Sequence, residues 1–228
     1  MKQKLKKWEL RLQTIYEDMR QQAASREVFR ETAAMVRTNS KIPKESDFLT
    51  FLEQWYVDST VMGLRRQLKV KDSASLAGLL DDIAANPVCL SRQRFVALYP
   101  ESEHKRGDRT FDKHVGAGAA HVDAAAVRAD IKKLKSLAQR SEKYADRLVA
   151  HRDHRGVSAV PTYAELNEAI DFAESLLQKY YLLLRGDSLV SVTPKFLYPW
   201  KRIFEVAWLP PETPANKSIQ PTPARGRG

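Results

Sequence analysis

The sequence predicts an all-α protein: a helical bundle of long antiparallel helices, followed by an extended, aromatic-rich C-terminal arm. Three observations carry this. Apolar residues recur at helical spacing through most of residues 1–186, as expected of helices that each bury one face. Helix punctuation falls between the periodic stretches, at Pro43, Pro87, Pro100, Pro161 and Gly186. Alternating, strand-like patterns appear only after Gly186, where Pro194 and Pro199 forbid a long regular strand.

Residues 3–37 read as one long amphipathic helix, or two collinear ones, with Leu5, Trp8, Leu12, Ile15 and Met19 on one side. The segment 39–44 is a connector around Pro43. A second helix is expected over 46–69, with Phe48, Phe51, Leu52, Trp55, Val61, Met62, Leu64 and Leu68 as a wide apolar face. Arg65 and Arg66 lie near its end, where cations suit the helix dipole, and Gly63 marks a close helix contact. A short helix follows over 76–85. Ser91 caps another that carries Phe95 and Val96 and stops at Pro100.

Residues 101–118 are charged and then glycine-rich. They read as a mobile loop with at most one short helix, and Gly116-Ala117-Gly118 reads as a hinge. No strand precedes those glycines, so a phosphate-cradling loop lacks its required context. A long helix is then expected over 122–151. Thr162-Tyr163-Ala164-Glu165 has the form of a capping box, and the last helix runs to Arg185 with Gly186 as its C-cap. Residues 187–209 are expected to lay Phe196, Tyr198, Trp200, Phe204 and Trp208 on the bundle as an arm. The sharper alternative for these rings is a platform on which bases stack. The Pro-rich, polar residues 210–228 are expected to be a disordered tail. That tail resembles the translated read-through of a recombination site in mobile gene cassettes.

The 38 Lys and Arg outnumber the 28 Asp and Glu, for a formal charge of +10. Such an excess favours a polyanionic partner, RNA or DNA before an anionic membrane. Part of it is terminal: Lys2, Lys4, Lys6 and Lys7 at one end, Lys217, Arg225 and Arg227 at the other. The single cysteine, Cys89, has no partner for an internal disulfide, which fits a reducing cytoplasm. Its apolar neighbours make it a buried thiol rather than a nucleophile. No continuous apolar run of signal-peptide or membrane-span kind is visible. A basic N-terminal helix lying on anionic lipid is a weaker reading, because core packing explains its apolar face more simply.

The stretch from Tyr144 to His154 is the richest in chemistry. Metal-free RNA cleavage needs a base for the 2′-hydroxyl, an acid for the leaving oxygen and a cation for the charged phosphorane. Histidine titrates near neutral pH and serves as either acid or base. Arginine offers a planar fork to phosphate oxygens. Arg147 and His151 lie four residues apart, on one face of a helix end, with Arg152, Asp153, His154 and Arg155 next in the turn. The same residues also make sense as a helix cap, with Asp153 paired to Arg147 or Arg155. Metal ligation by His151, Asp153 and His154 lacks any further His or Cys cluster. No cofactor is implied.

Ala150-His151-Arg152-Asp153 resembles the signature of the abortive-infection (AbiU-like) branch of the HEPN superfamily. The resemblance extends upstream to Gly63-Leu64-Arg65-Arg66 and Ser75-Leu76-Ala77-Gly78-Leu79-Leu80. Downstream it takes in Thr162-Tyr163-Ala164-Glu165 and the stretch from Trp200 to Trp208. It implies a helical bundle that dimerises, with two copies of an Arg…His motif lining a cleft that cuts RNA without metal. Aligned on His151, Asp146 fills the motif's polar position, and Ala145 stands where the arginine belongs. Either the arginine's role has moved to Arg147, Arg140 or Arg152, or this copy does not cleave. Arg147 and His154 also satisfy the loose motif spacing, at the expense of the Ala-His-Arg-Asp match.

Two functions follow. One is a metal-independent endoribonuclease or RNA-binding toxin of a phage-defence system. Its catalytic residues would be His151, Arg147 and Asp146, and its RNA contacts Arg65, Arg66, Arg140, Arg152, His154 and Arg155. The other is a catalytically inactive helical dimer that holds a partner protein, such as an antitoxin, or a nucleotide. Both imply a cytoplasmic homodimer, and neither needs a membrane.

Overall fold

The computed structural model describes residues 1–70, 74–146 and 160–206 of the chain. Its α-helices are α1 (Lys2–Thr38), α2 (Asp47–Leu68), α3 (Leu76–Ala85), α4 (Arg92–Val96), α5 (His104–Val115), α6 (Ala124–Leu137), α7 (Gln139–Tyr144) and α8 (Tyr163–Arg185). Among the described residues no strand is present, and the one β-type pairing is a bridge between Ser91 and His121. The protein is all-α, as its periodicity predicts. Among the same residues no helix is long and apolar enough to cross a membrane.

The spacing of apolar residues on α1 decides which face it buries. Trp8, Leu12, Ile15, Met19 and Ala23 lie on one stripe and are all buried. They meet α2, α3 and α8. α1 and α2 form an antiparallel hairpin, because their contacts run in opposite order. Arg66 reaches Asp18, Gly63 faces Gln22, and the rings of Phe29 and Tyr56 stack at 4.1 Å. A Cβ at Gly63 would crowd the Gln22 side-chain amide, so the helices approach closely where the sequence predicts and a larger residue there would require that amide to move.

Gln67 ties three helices together. Its Nε2 donates to Asp18 on α1, and its Oε1 accepts from the Leu76 N–H at the start of α3. Ser75 caps α3, accepting from the Gly78 N–H. α3 then packs its Leu76, Leu79, Leu80 and Ile83 against α6. At the far end of α3, Asp82 accepts from Trp8 Nε1 at 2.8 Å and from Lys4 at 3.2 Å.

Three expectations are corrected. Residues 101–118 do hold a single α-helix, but it is the 12-residue α5, His104–Val115, rather than a short turn in a mobile loop, and its Phe111 is fully buried. Its charges lie outside and hide two inward positions, Phe111 and Gly107, the latter pressed against the Tyr99 ring. The glycine turn after it is pinned rather than hinged. Arg92 donates to the Ala119 and Gly116 carbonyls and to Asp108 and Asp112, while Asp112 accepts from the Gly118 N–H. Gly116 and Gly118 hold φ of 128° and 72°, which only glycine adopts readily.

The helix expected over 122–151 is likewise broken. Ala138 leaves the helical path at φ −89°, ψ 2°, separating α6 from α7. No Gly or Pro marks the break. Ala138 is fully buried, and beyond it Ser141, Tyr144 and Ala145 turn inward while α7 packs on α2. The remainder, 147–151, lies outside the described residues.

α8 starts and stops as the sequence indicates. Thr162 and Glu165 form a complete capping box, and Gly186 closes the helix in the left-handed conformation at φ 76°. Arg94 on α4 donates to the Leu183 and Leu184 carbonyls at 3.0 and 2.6 Å, satisfying acceptors that the helix end leaves open. The chain divides into a helical unit, Met1–Pro194, and a second unit beginning at Lys195. In the first, Val192 is buried beyond the end of α8. In the second, Trp200–Glu205 form a 3-10 turn in which the Trp200 ring meets Phe196 at 6.1 Å and Phe204 at 6.2 Å.

Candidate functional site

The end of α7 gathers the described part of the candidate site. After Tyr144 the backbone widens into a π-type turn at Ala145 and Asp146. Such widened turns often occur where a helix carries function. Tyr144 and Ala145 face the core, whereas Asp146 is exposed. The Tyr144 hydroxyl accepts from Gln54 Nε2 at 3.0 Å, so α2 fixes the end of α7 from one side.

Arg65 supplies the second link to α2. Its Nε stands 2.6 Å from Asp146 Oδ1, and both side chains keep contact with solvent. Arg66, the next residue, points elsewhere. It grips Asp18 on α1 through Nε and Nη2, at 3.3 and 2.6 Å. The two adjacent arginines are therefore separated: Arg65 goes to the end of α7 and Arg66 to α1.

Arg140 makes a third link. Its Nη1 lies 2.7 Å from Glu165 Oε1, while Glu165 Oε2 accepts from the Thr162 N–H at 2.9 Å. The Thr162 N–H bond holds the Glu165 carboxyl below its usual range; slight burial opposes this, and the Thr162 hydroxyl and Arg140 add to it. Tyr163 follows directly and packs on Phe29 and Tyr56, so the start of α8 is fastened to α1 and α2. The described residues on either side of 147–159 are thus tied to the bundle, Asp146 by Arg65 and Glu165 by Arg140.

Of the residues predicted for chemistry or RNA contact, Asp146, Arg65, Arg66 and Arg140 are described. His151, Arg147, Arg152, His154 and Arg155 lie outside the described residues. Ala145 is fully buried in the core cluster. An arginine there would carry a charged fork into that core, a costly burial without a partner. Position 145 is therefore shaped for a small apolar side chain. Gln54, Tyr144 and Glu165 were not singled out as site residues in the sequence. Tyr144 and Glu165 did appear there, Tyr144 as the first residue of the stretch to His154 and Glu165 as half of a capping box. Gln54 carries no local signal.

No curated protein and no solved structure gives a significant match to the chain. A family model does: the model for AbiU2, of the HEPN superfamily, matches residues 9–199. That span includes α2 with Arg65, α7 with Asp146, the stretch around His151 and all of α8, and this chain belongs to the AbiU2 family of HEPN proteins.

Proposed function

We propose that this protein acts on RNA in a phage-defence role, as a metal-independent endoribonuclease working as a homodimer. His151 would take the proton from a ribose 2′-hydroxyl. The freed oxygen attacks the adjacent phosphorus, and the bond to the 5′-oxygen breaks. An acid, the histidine of the second copy of the motif, returns a proton to that leaving oxygen, giving a cyclic phosphate and a free 5′-hydroxyl. Arginine stabilises the charge that builds on the phosphate, and Arg147 is the motif's own candidate. The observation that supports this reading is the 2.6 Å pair of Arg65 with Asp146, which delivers a second guanidinium to the motif's polar residue. Arg65 thereby joins Arg147, Arg140 and Arg152 as a replacement for the arginine missing at 145.

A second reading is favoured by Ala145. Because that position is buried and apolar, the same fold serves equally as a silent dimer that holds an antitoxin, another partner protein or a nucleotide.

One experiment separates them. Purified protein is incubated with RNA in EDTA, wild type beside His151→Ala, with oligomeric state measured on the same samples. Cleavage by a wild-type dimer that disappears in the variant supports the nuclease. A folded wild-type dimer that leaves RNA intact rejects it in favour of the silent module.

A further inference from the structure

The outer flank of α6 carries an arrangement of charge that the candidate site does not use. Arg128, Lys132 and Lys135 recur at steps of four and three, so they stand in one row, and all are exposed. Beyond the break at Ala138, Gln139 and Lys143 are also exposed, on α7. Among the described residues none of these four cations has a carboxylate partner, unlike Arg26, Arg66, Arg92 and Arg140. The single acid within α6, Asp130, is taken up elsewhere: its Oδ2 accepts from Lys179 at 2.8 Å and from the Tyr180 hydroxyl at 2.9 Å. Glu142, half-buried, precedes Lys143 in the sequence, and Asp146 follows it but is paired with Arg65.

We infer that this row is the track on which an RNA strand lays its phosphate backbone on the way to the end of α7. The inference rests on the proposed action on RNA and says which surface holds it. Regularly spaced, unpaired cations suit a regularly charged polymer, whose bound counterions they displace. A lipid surface fits less well. Membrane-bound helices insert an apolar face, and the apolar residues of α6, Val127, Ile131 and Leu134, are already buried in the core. The other exposed residues from Arg128 to Lys143 are Ala129, Lys133, Ser136, Gln139 and Arg140, so a protein partner finds no exposed aromatic or large aliphatic anchor there.

The test measures binding of the full chain to a 2′-O-methyl oligoribonucleotide, which lacks the attacking hydroxyl, across a range of salt. The variant Arg128→Gln/Lys132→Gln/Lys135→Gln removes the row. The variant Lys105→Gln/Arg109→Gln/Lys113→Gln removes the same charge from exposed positions on α5. The row variant is expected to bind at least about tenfold more weakly, with its salt slope reduced by roughly 2, as three lost phosphate contacts require for a single strand. The α5 variant is expected to keep the wild-type slope. Equal losses in both variants would reduce the effect to net charge and overturn the track. So would wild-type binding to equimolar phosphatidylglycerol–phosphatidylcholine vesicles that the row variant loses while keeping RNA. If the wild type itself does not bind the oligoribonucleotide, the proposed function fails and the track with it. Binding that survives unchanged in the row variant rejects the track alone.

Discussion

Arg65 Nε and Asp146 Oδ1 stand 2.6 Å apart, joining the end of α2 to the turn that leads into the motif. The contact matters because of its neighbour. Ala145, one residue earlier, is fully buried and leaves no room for a guanidinium. The fold thus closes the position where a motif arginine would emerge from its own helix, and brings an arginine to the next residue from another. Asp146 sets the direction of that arginine. Because the guanidinium has five donors, a pair through Nε is compatible with phosphate contact along its other edge.

Replacing Arg65 separates a tether from a phosphate contact. A partly exposed ion pair contributes at most about 1 kcal/mol, so Arg65→Ala should melt close to wild type. Loss of a donor to the transition-state phosphate should slow RNA cleavage about 10²–10³-fold. Arg65→Lys keeps the charge but not the planar fork and should recover only part of the rate. Initial rates in EDTA, beside thermal melts, check both. A variant that melts normally and cleaves at the wild-type rate removes Arg65 from the chemistry.

Asp82 gives the bundle an acid-sensitive point. Burial works against its charge, but the Trp8 and Lys4 donors, with Arg11 nearby, outweigh this and hold the carboxyl below its usual value. A carboxylate depressed by folding stabilises the native state fully above its unfolded pKa, near 3.8, and the gain is lost as pH falls through the folded value. Asp82→Asn should therefore lower stability at neutral pH and flatten the decline between about pH 5 and the acid limit. Trp8→Phe removes the indole donor while keeping an aromatic ring, and should cost about 1–3 kcal/mol. Urea unfolding at several pH values tests this. An Asn variant with the same pH dependence as wild type would show that Asp82 is not the titrating group.

Arg94 holds the end of α8. Half-buried, it places its two Nη groups on the Leu183 and Leu184 carbonyls, where the negative end of the helix dipole adds to the attraction. Burial pushes its guanidinium pKa down, and the guanidinium group stays protonated in proteins. Arg94→Met keeps the stem and leaves both carbonyls without their donor. We expect a loss of about 2–3 kcal/mol in urea unfolding, with the α8 C-terminus exchanging its amide protons fastest. A loss below about 0.5 kcal/mol would mean that water replaces Arg94 without penalty.

What the sequence made legible was local. The buried stripe of α1 follows from the spacing of Trp8, Leu12, Ile15 and Met19, and the start of α8 from four consecutive residues, Thr162 to Glu165. What it hid was tertiary. Nothing in the composition of α5 distinguishes a charged helix with one buried Phe from a charged loop. The break at Ala138 has no glycine or proline to announce it. The partners of Arg65 and Arg66 could not be told apart, because neighbours on a helix point about 100° from each other and only the packing says what each one meets. The candidate site was legible as a cluster around His151, whereas its anchoring by Arg65, Gln54 and Arg140 depends on helices distant in sequence.

The same limit applies to the first half of α2, and there it yields a prediction about assembly. Phe48, Phe51 and Trp55 were expected on the apolar face with Leu52. Leu52 turns toward α1, but the three rings point outward, 57–62% exposed, with Phe51 and Trp55 stacked at 6.4 Å. Their spacing of three and four puts them on one face, and each ring can bury about 150–250 Å². A solvent-facing row of this kind is costly for a monomer and suits a self-complementary interface about a two-fold axis. If the proposed homodimer forms here, Phe51→Glu/Trp55→Glu should yield a folded monomer in sedimentation at micromolar concentration. Cleavage that depends on two copies of the motif should fall with it. A double variant that remains dimeric would place the interface elsewhere and leave these rings for another partner.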